Sequence, residues 1–158
     1  MAKPEGQQKS RDVATNRAAR HKYVAVETME AGIELRGSEI KSLREGTARL
    51  QDSYAAIEEG QVFLRGAYIA PYAPASRENH EPERPRKLLL HRYEIERLIS
   101  RMQRKGLTLI PTRMYFKGNK AKVELALARG KDHQDQRREI RDRDIARDVE
   151  RELKDRNR

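Results

Sequence analysis

The chain has 158 residues, 36% of them hydrophobic and 38% charged, with Lys+Arg 35 against Asp+Glu 25 for a net charge of +10. That length suits one core of ordinary size, and so polar a composition places part of the chain outside it. No cysteine excludes disulfides and thiolate metal sites, and His21, His80, His91 and His133 lack ligand spacing. No apolar run of about 18 residues is present, so a soluble, cytoplasmic protein without a membrane partner is expected.

In chain order, residues 1–22 carry six basic and two acidic side chains without apolar periodicity, and read as a flexible basic arm. Tyr23-Val24-Ala25-Val26 and Ala31-Gly32-Ile33-Glu34-Leu35 read as two strands. Ser38 is positioned to cap a short helix that carries Ile40 and Leu43 on one face and stops at Gly46. Residues 53–57 and 62–64 read as strands around the turn Glu58-Glu59-Gly60-Gln61, with Ala67-Tyr68-Ile69 continuing the sheet. Pro71, Pro74, Pro82 and Pro85 make residues 71–87 a long loop.

Residues 88–105 place Leu90, Ile95, Leu98, Ile99 and Met102 near helical spacing, with Gly106 where a helix would end. Residues 107–110 and 113–116 are β-prone, and Lys117-Gly118-Asn119-Lys120 turns the chain into the alternating run Lys122-Val123-Glu124-Leu125-Ala126-Leu127. Strands in series with two helices favour a mainly β fold, an OB-like antiparallel barrel with flanking α-helices spanning residues 23–128, because closure removes exposed edges. Residues 129–158 hold 11 basic and 9 acidic residues, and only Ile140, Ile145, Val149 and Leu153 are large and apolar. This helix-friendly tail cannot form a core, so it is expected to be disordered when free and helical when bound.

The net charge points to a phosphate backbone. Asn16-Arg17-Ala18-Ala19-Arg20-His21-Lys22 gathers charges and hydrogen-bonding groups suited to phosphates; the alternative is a solvated basic tail. Glu30 beside small residues can accept from base amino groups, although residue chemistry alone favours an ordinary turn for Glu30-Ala31-Gly32-Ile33. Lys41 and Arg44, three apart on a helix, either reach one phosphate run or form a solvated face. In Arg84-Pro85-Arg86-Lys87-Leu88-Leu89-Leu90-His91, the charges suit a backbone while Leu90 meets a base or enters the core, and residue chemistry alone favours the core. With six Tyr, two Phe and no Trp, recognition by shape and backbone is expected over aromatic sequence reading. No phosphate loop, nucleophile elbow or paired histidines suggest catalysis, so neither an enzyme nor a cofactor is expected.

Taken together, Asn16-Arg-Ala-Ala-Arg-His21, Glu30-Ala-Gly-Ile33, Gly37-Ser-Glu-Ile-Lys-Ser-Leu-Arg44, Asp52-Ser-Tyr54, Arg86-Lys-Leu-Leu-Leu-His91 and the run from Val123 to Lys131 resemble the bacterial SsrA-binding protein (SmpB) family. The blocks hold the family's order and spacing from about Asn16 to the C-terminus. The resemblance implies a monomer that binds the tRNA-like domain of tmRNA and travels with elongation factor Tu to stalled ribosomes for trans-translation. It places Asn16, Glu30 and Leu90 at the tmRNA-facing surface; Arg17, Arg20, His21, Lys41, Arg44 and Lys87, singled out above by their own chemistry, are expected as further RNA contacts. It also implies a tail that enters the empty mRNA channel beyond the decoding centre and meets small-subunit rRNA through Gly130, Lys131, Asp135, Arg137, Arg138 and Arg141. Where relatives commonly read Gly-Lys-Lys and then Asp-Lys-Arg, this chain has Gly130-Lys131-Asp132 and Asp135-Gln136-Arg137, two positive charges fewer and one negative more. A general OB-type RNA-binding or ribosome-assembly protein and an RNA-processing enzyme are the rival classes.

Overall fold

The computed structural model describes residues 10–103 and 106–157. Its first strand, β1 (Ser10–Thr15), pairs antiparallel with a later strand from Ser10↔Lys117 to Thr15↔Arg113. Asn16 then caps α1 (Arg17–Lys22): its Oδ1 accepts from the Ala19 N–H at 3.2 Å while its Nδ2 donates to the Pro111 carbonyl at 3.0 Å. Residues 10–22, expected as part of a flexible arm, are therefore folded against the body. Ladder and capping bonds to distant residues hold them, which apolar periodicity does not report.

The two expected strands after Lys22 are one, β2 (Tyr23–Ile33), interrupted by a bulge between Ala25 and Glu27. The extra residue shifts the alternation by one, so the run reads as two pieces. In α2 (Gly37–Arg44) the N-cap residue is Arg36, and the Glu39 carboxylate accepts from its backbone N–H at 3.3 Å. Ser38 is not the cap; its hydroxyl lies 2.8 Å from His80 Nδ1. The chain leaves α2 at Gly46, whose φ of +77° suits glycine.

Next come β3 (Ala48–Arg49), β4 (Tyr54–Glu58), β5 (Gln61–Arg65) and β6 (Tyr68–Ile69). Glu59 and Gly60, both at positive φ, form the tight turn of the β4–β5 hairpin. Rather than continuing that sheet, β6 pairs with β3 as a separate ribbon. The expected loop contains a 3-10 turn (Ala73–Glu78) and ends in β7 (Arg86–Leu89). Leu88 pairs with Val62 on one side and Ile33 on the other. The helix α3 (Arg92–Met102) consequently starts later than its spacing suggests. Two neighbouring ladders claim the leucine run.

The chain ends in β8 (Leu107–Lys117), β9 (Lys120–Gly130) and α4 (His133–Arg156). A bulge between Pro111 and Arg113 lies within β8, and the expected Lys117–Lys120 turn joins the two strands. The strand order is β1-β8-β4-β5-β7-β2-β9, and β8 also pairs with β9, so the pairings return on themselves. A single registered pair, Ala55↔Leu109, links β4 to β8. The result, among the described residues, is an antiparallel sheet core with four α-helices. Val62, Leu64, Leu109, Met114, Val123, Leu125 and Leu127 fill its interior with no solvent exposure. Ile110, Ala126 and Ala128 pack with Ala19 and Tyr23 in a smaller apolar cluster that seats α1. No helix among the described residues is long and apolar enough to cross a membrane.

Among the buried polar residues, an ion-paired cluster lies deepest. Glu39 and Arg86 are both fully buried; Arg86 Nε sits 3.3 Å from Glu39 Oε2, and Arg84 donates to the same carboxylate through Nε and, at 3.0 Å, Nη2. Arg86 spends its other nitrogens on the Ala67 and Pro82 carbonyls at 2.8 and 3.0 Å. Burial pushes the Glu39 carboxyl up, but the Arg84 hydrogen bonds and Arg86 charge outweigh it and hold it below its ordinary value.

Arg86→Met leaves that carboxylate short of a partner and two loop carbonyls unpaired, and is expected to cost about 3–5 kcal/mol in denaturant unfolding; Glu39→Leu combined with Arg86→Met should recover only the part due to the unpaired charge. Recovery of none would mean that packing, not charge, sets the cost. Because the folded-state pKa of Glu39 is depressed, its contribution is complete above the unfolded value, about 4.3, and fades as pH falls through the folded value. The stability gap between the parent and Glu39→Gln should therefore narrow on acidification; a gap independent of pH below about 5 would contradict this assignment.

Candidate nucleic-acid interface

Three of the expected RNA-binding residues meet in one open groove. Glu30 from β2, Lys87 from β7 and Leu90 after it line a space of about 1390 Å³ together with His91, Lys120 and Lys122. The side chains of Lys87 and Leu89 alternate with the buried Arg86 and Leu88, as a pleated strand requires. Leu90 is half-buried and packs against the core while forming groove wall, so the apolar and RNA-facing readings occupy one position.

Glu30 is prepared as an acceptor. The Tyr115 hydroxyl donates to its Oε2, and Lys117 Nζ lies 3.5 Å from Oε1. The Tyr115 hydrogen bond, opposed by burial and helped by Lys117 and Lys122, holds the carboxyl below its ordinary value. Burial and the bond to Glu30 push the Tyr115 phenol up, so the proton stays on tyrosine. Arg113, bonded to Glu124 at 3.1 Å and Asp12 at 2.9 Å, lies 4.2 Å over the Tyr115 ring and braces it. The remaining lone pairs of Glu30 can accept from exocyclic amino groups.

The α1 group stands apart. Arg17, Arg20 and His21 are exposed near the Tyr23 end of β2, seven residues from Glu30 or about 23 Å along an extended strand. Asn16 is not at the surface: it is 4% exposed, and both ends of its amide are used in capping α1 and binding Pro111. Lys41 and Arg44 are exposed on α2; Lys41 Nζ lies 5.7 Å from the Tyr72 ring centroid, and the Arg44 carbonyl accepts from Arg11 at 3.4 Å.

At the tail, Gly130 closes β9 opposite Tyr23. The Lys131 side chain is only 4% exposed; its ammonium donates to the Arg20 carbonyl at 2.7 Å and to Glu139. Lys131 is thus a joint between α1 and α4 in this conformation. Arg137, Arg138 and Arg141 are exposed on α4, with 137 and 141 one turn apart. The side chain of Asp135 lies outside the described residues. The residues that sequence reading missed are Lys120 and Lys122 in the groove, and Lys117 and Tyr115 beside Glu30. Their signal was the cluster of lysines around the Gly118 turn, Lys117, Lys120 and Lys122. No cluster of three or more His, Asp or Glu suited to a metal occurs among the described residues.

The family model described as SmpB protein matches residues 13–155. An SsrA-binding protein of Chloroflexus aurantiacus is 55% identical over 143 residues, covering 90% of this chain and 89% of its own length. Those of Persephonella marina and Syntrophobacter fumaroxidans are 51% and 52% identical, covering 90% and 94% of this chain and 93% and 92% of their own. A solved structure described as "tmRNA-SmpB: a journey to the center of the bacterial ribosome" is similar with a TM-score of 0.64 and 47% identity, over 80% of this chain and 93% of that one. With the match running from β1 through nearly all of α4, the chain belongs to the SmpB family.

Proposed function

We propose that this chain binds the tRNA-like domain of tmRNA and delivers it to stalled ribosomes for trans-translation. The observation that carries this reading is the SmpB match across both the sheet domain and the tail, residues 13–155. The charged groove with its ionised Glu30 supplies a chemically suitable surface: lysines for phosphates, a carboxylate for base amino groups and Leu90 as an apolar wall. The return of the strand pairings on themselves supports an OB-like barrel as the scaffold. Residues 10–22 are grouped with that domain, and the tail begins after Gly130.

The tail has a different RNA in this proposal. A 24-residue helix is about 36 Å long and carries exposed Arg137, Arg138 and Arg141 for rRNA phosphates. It senses an empty mRNA channel near the decoding centre because mRNA in that channel excludes it by volume and charge. Contrary to the disorder expected of a free tail, α4 is already helical in the chain by itself, and in this proposal it takes a fixed position in that channel. The complex is cytoplasmic, with one copy of this chain and elongation factor Tu on the same tmRNA; the chemistry of peptide transfer stays with the ribosome.

At matched, near-physiological salt the protein should bind the tRNA-like domain at least about tenfold more tightly than an unrelated hairpin, a difference near 1.4 kcal/mol. Glu30→Ala should lose about 5- to 150-fold in affinity with an unchanged salt slope, whereas Lys87→Ala should lower that slope by about one. Equal binding to both RNAs would defeat the assignment and favour a general RNA-binding protein. Truncation after Gly130 is expected to spare tmRNA binding while abolishing peptide tagging on stalled ribosomes. Loss of both activities together would show that the division between domain and tail is wrong.

A further inference from the structure

Exposed aromatic rings are scarce among the described residues, and one of them, Tyr93, stacks on a residue that lines the groove. His91, which lines the groove, and Tyr93 are stacked with ring centroids 5.5 Å apart and planes 9° from parallel. Tyr93 is 68% exposed, so the ring has a face open to solvent as well as one on His91. The pair is held firmly. The His91 backbone N–H donates to Glu94 Oε2 at 2.8 Å, and its carbonyl accepts from the backbone N–H groups of Glu94 and Ile95 at 3.0 and 3.1 Å. These bonds seat the His91 backbone at the start of α3.

The surroundings select the ligand chemistry. Lys87, Arg92, Lys120 and Lys122 line the same groove against the carboxylates of Glu30 and Glu94, and Glu94 is already occupied by the His91 N–H. A cationic channel ending at a flat, open aromatic face fits a sugar-phosphate chain with an unstacked base. An apolar peptide would gain little from the lysines, and a duplex end-on would leave the carboxylate of Glu30 without amino groups to accept from.

We infer that His91 and Tyr93 form a base-stacking platform that takes an unpaired nucleobase of the RNA held in the groove, with Lys87, Lys120 and Lys122 on the flanking phosphates. This rests on the RNA reading above and adds to it a place where one base is pulled from its stack. The contact is made through a π-face, so it tolerates any base and adds affinity rather than sequence preference.

The test uses the full chain and two probes: the tRNA-like domain of tmRNA, and a short single-stranded RNA, each carrying 2-aminopurine at single unpaired positions. Stacking on Tyr93 should quench the fluorophore at one position of the first probe and in the second. Tyr93→Ala should abolish the quenching and weaken binding about 5- to 100-fold with the salt slope unchanged, while Tyr93→Phe stays near the parent. Tyr93→Leu, which keeps apolar area without a flat ring, should resemble Tyr93→Ala. Selective binding of the tRNA-like domain with parental quenching and affinity in Tyr93→Ala would overturn the platform and leave the functional reading standing. Non-selective binding, with Tyr93-dependent quenching of the single strand, would defeat the functional reading and leave the platform. Absence of Tyr93-dependent quenching in both probes would overturn the platform outright.

Discussion

Glu39 and Arg86 sit inside a sheet domain with no solvent contact, and the positions of α2, the proline-rich segment and β7 all pass through them. A buried pair of this kind is not an efficient source of stability, because desolvation consumes much of the attraction. Its value here lies in the backbone groups it satisfies. Arg86 donates to the Ala67 and Pro82 carbonyls, and Glu39 accepts from the Arg36 N–H. Hydrocarbon side chains of the same volume would leave those loop groups unpaired, each costing roughly 1–3 kcal/mol. Arg86 and Leu88 point inward, so Lys87 and Leu89 point outward by strand geometry. The interior ion pair thereby fixes which face of β7 meets the groove.

The features legible in the sequence were those that local chemistry decides. The Lys117-Gly118-Asn119-Lys120 turn and the alternation of β9 need no distant partner to be recognised, and the structure places both as expected. Leu88 belongs to a helical spacing and also to a strand; only the simultaneous presence of β5 and β2 decides for the strand. Asn16 illustrates the same limit at a candidate site residue. Its position beside basic residues suggests a surface contact, yet its amide finds Pro111, 95 residues away. The pairing of Glu39 with Arg84 spans 45 residues and carried no local mark at all. Glu30 and Leu90 were placed at the RNA surface through the resemblance to a family and Lys87 was named for its charge, while their lysine neighbours on the β8–β9 hairpin became visible only once the strands were paired.

Charge is distributed in a way the net value conceals. In the groove the cations are spaced along strand edges and opposed by Glu30, whose anionic state is secured by Tyr115. Around α1, Arg17, Arg20 and His21 are exposed on a single short helix. The two sets lie toward opposite ends of β2, so a single straight phosphate run would have to follow the whole strand to meet both. A uniform +10 sphere attracts any polyanion; two separated basic surfaces, one with an acceptor among its lysines, distinguish RNAs by shape.

The tail meets the body at the α1 surface and not at the groove. From Arg137 onward every described residue of α4 is exposed, so no core packing supports the helix and local terms such as the Glu150–Lys154 pair at 2.8 Å must suffice. Such pairs contribute a few tenths of a kcal/mol each, too little to fix a long helix in space. What anchors it is Lys131, whose ammonium bridges the Arg20 carbonyl near the end of α1 and the Glu139 carboxylate in the second turn of α4. The donors of that ammonium are shared between the two elements. The start of α4 is thus tied to α1 by the Lys131 ammonium and by its backbone N–H, which donates to the Lys22 carbonyl at 2.9 Å, while the groove lies at the far end of β2.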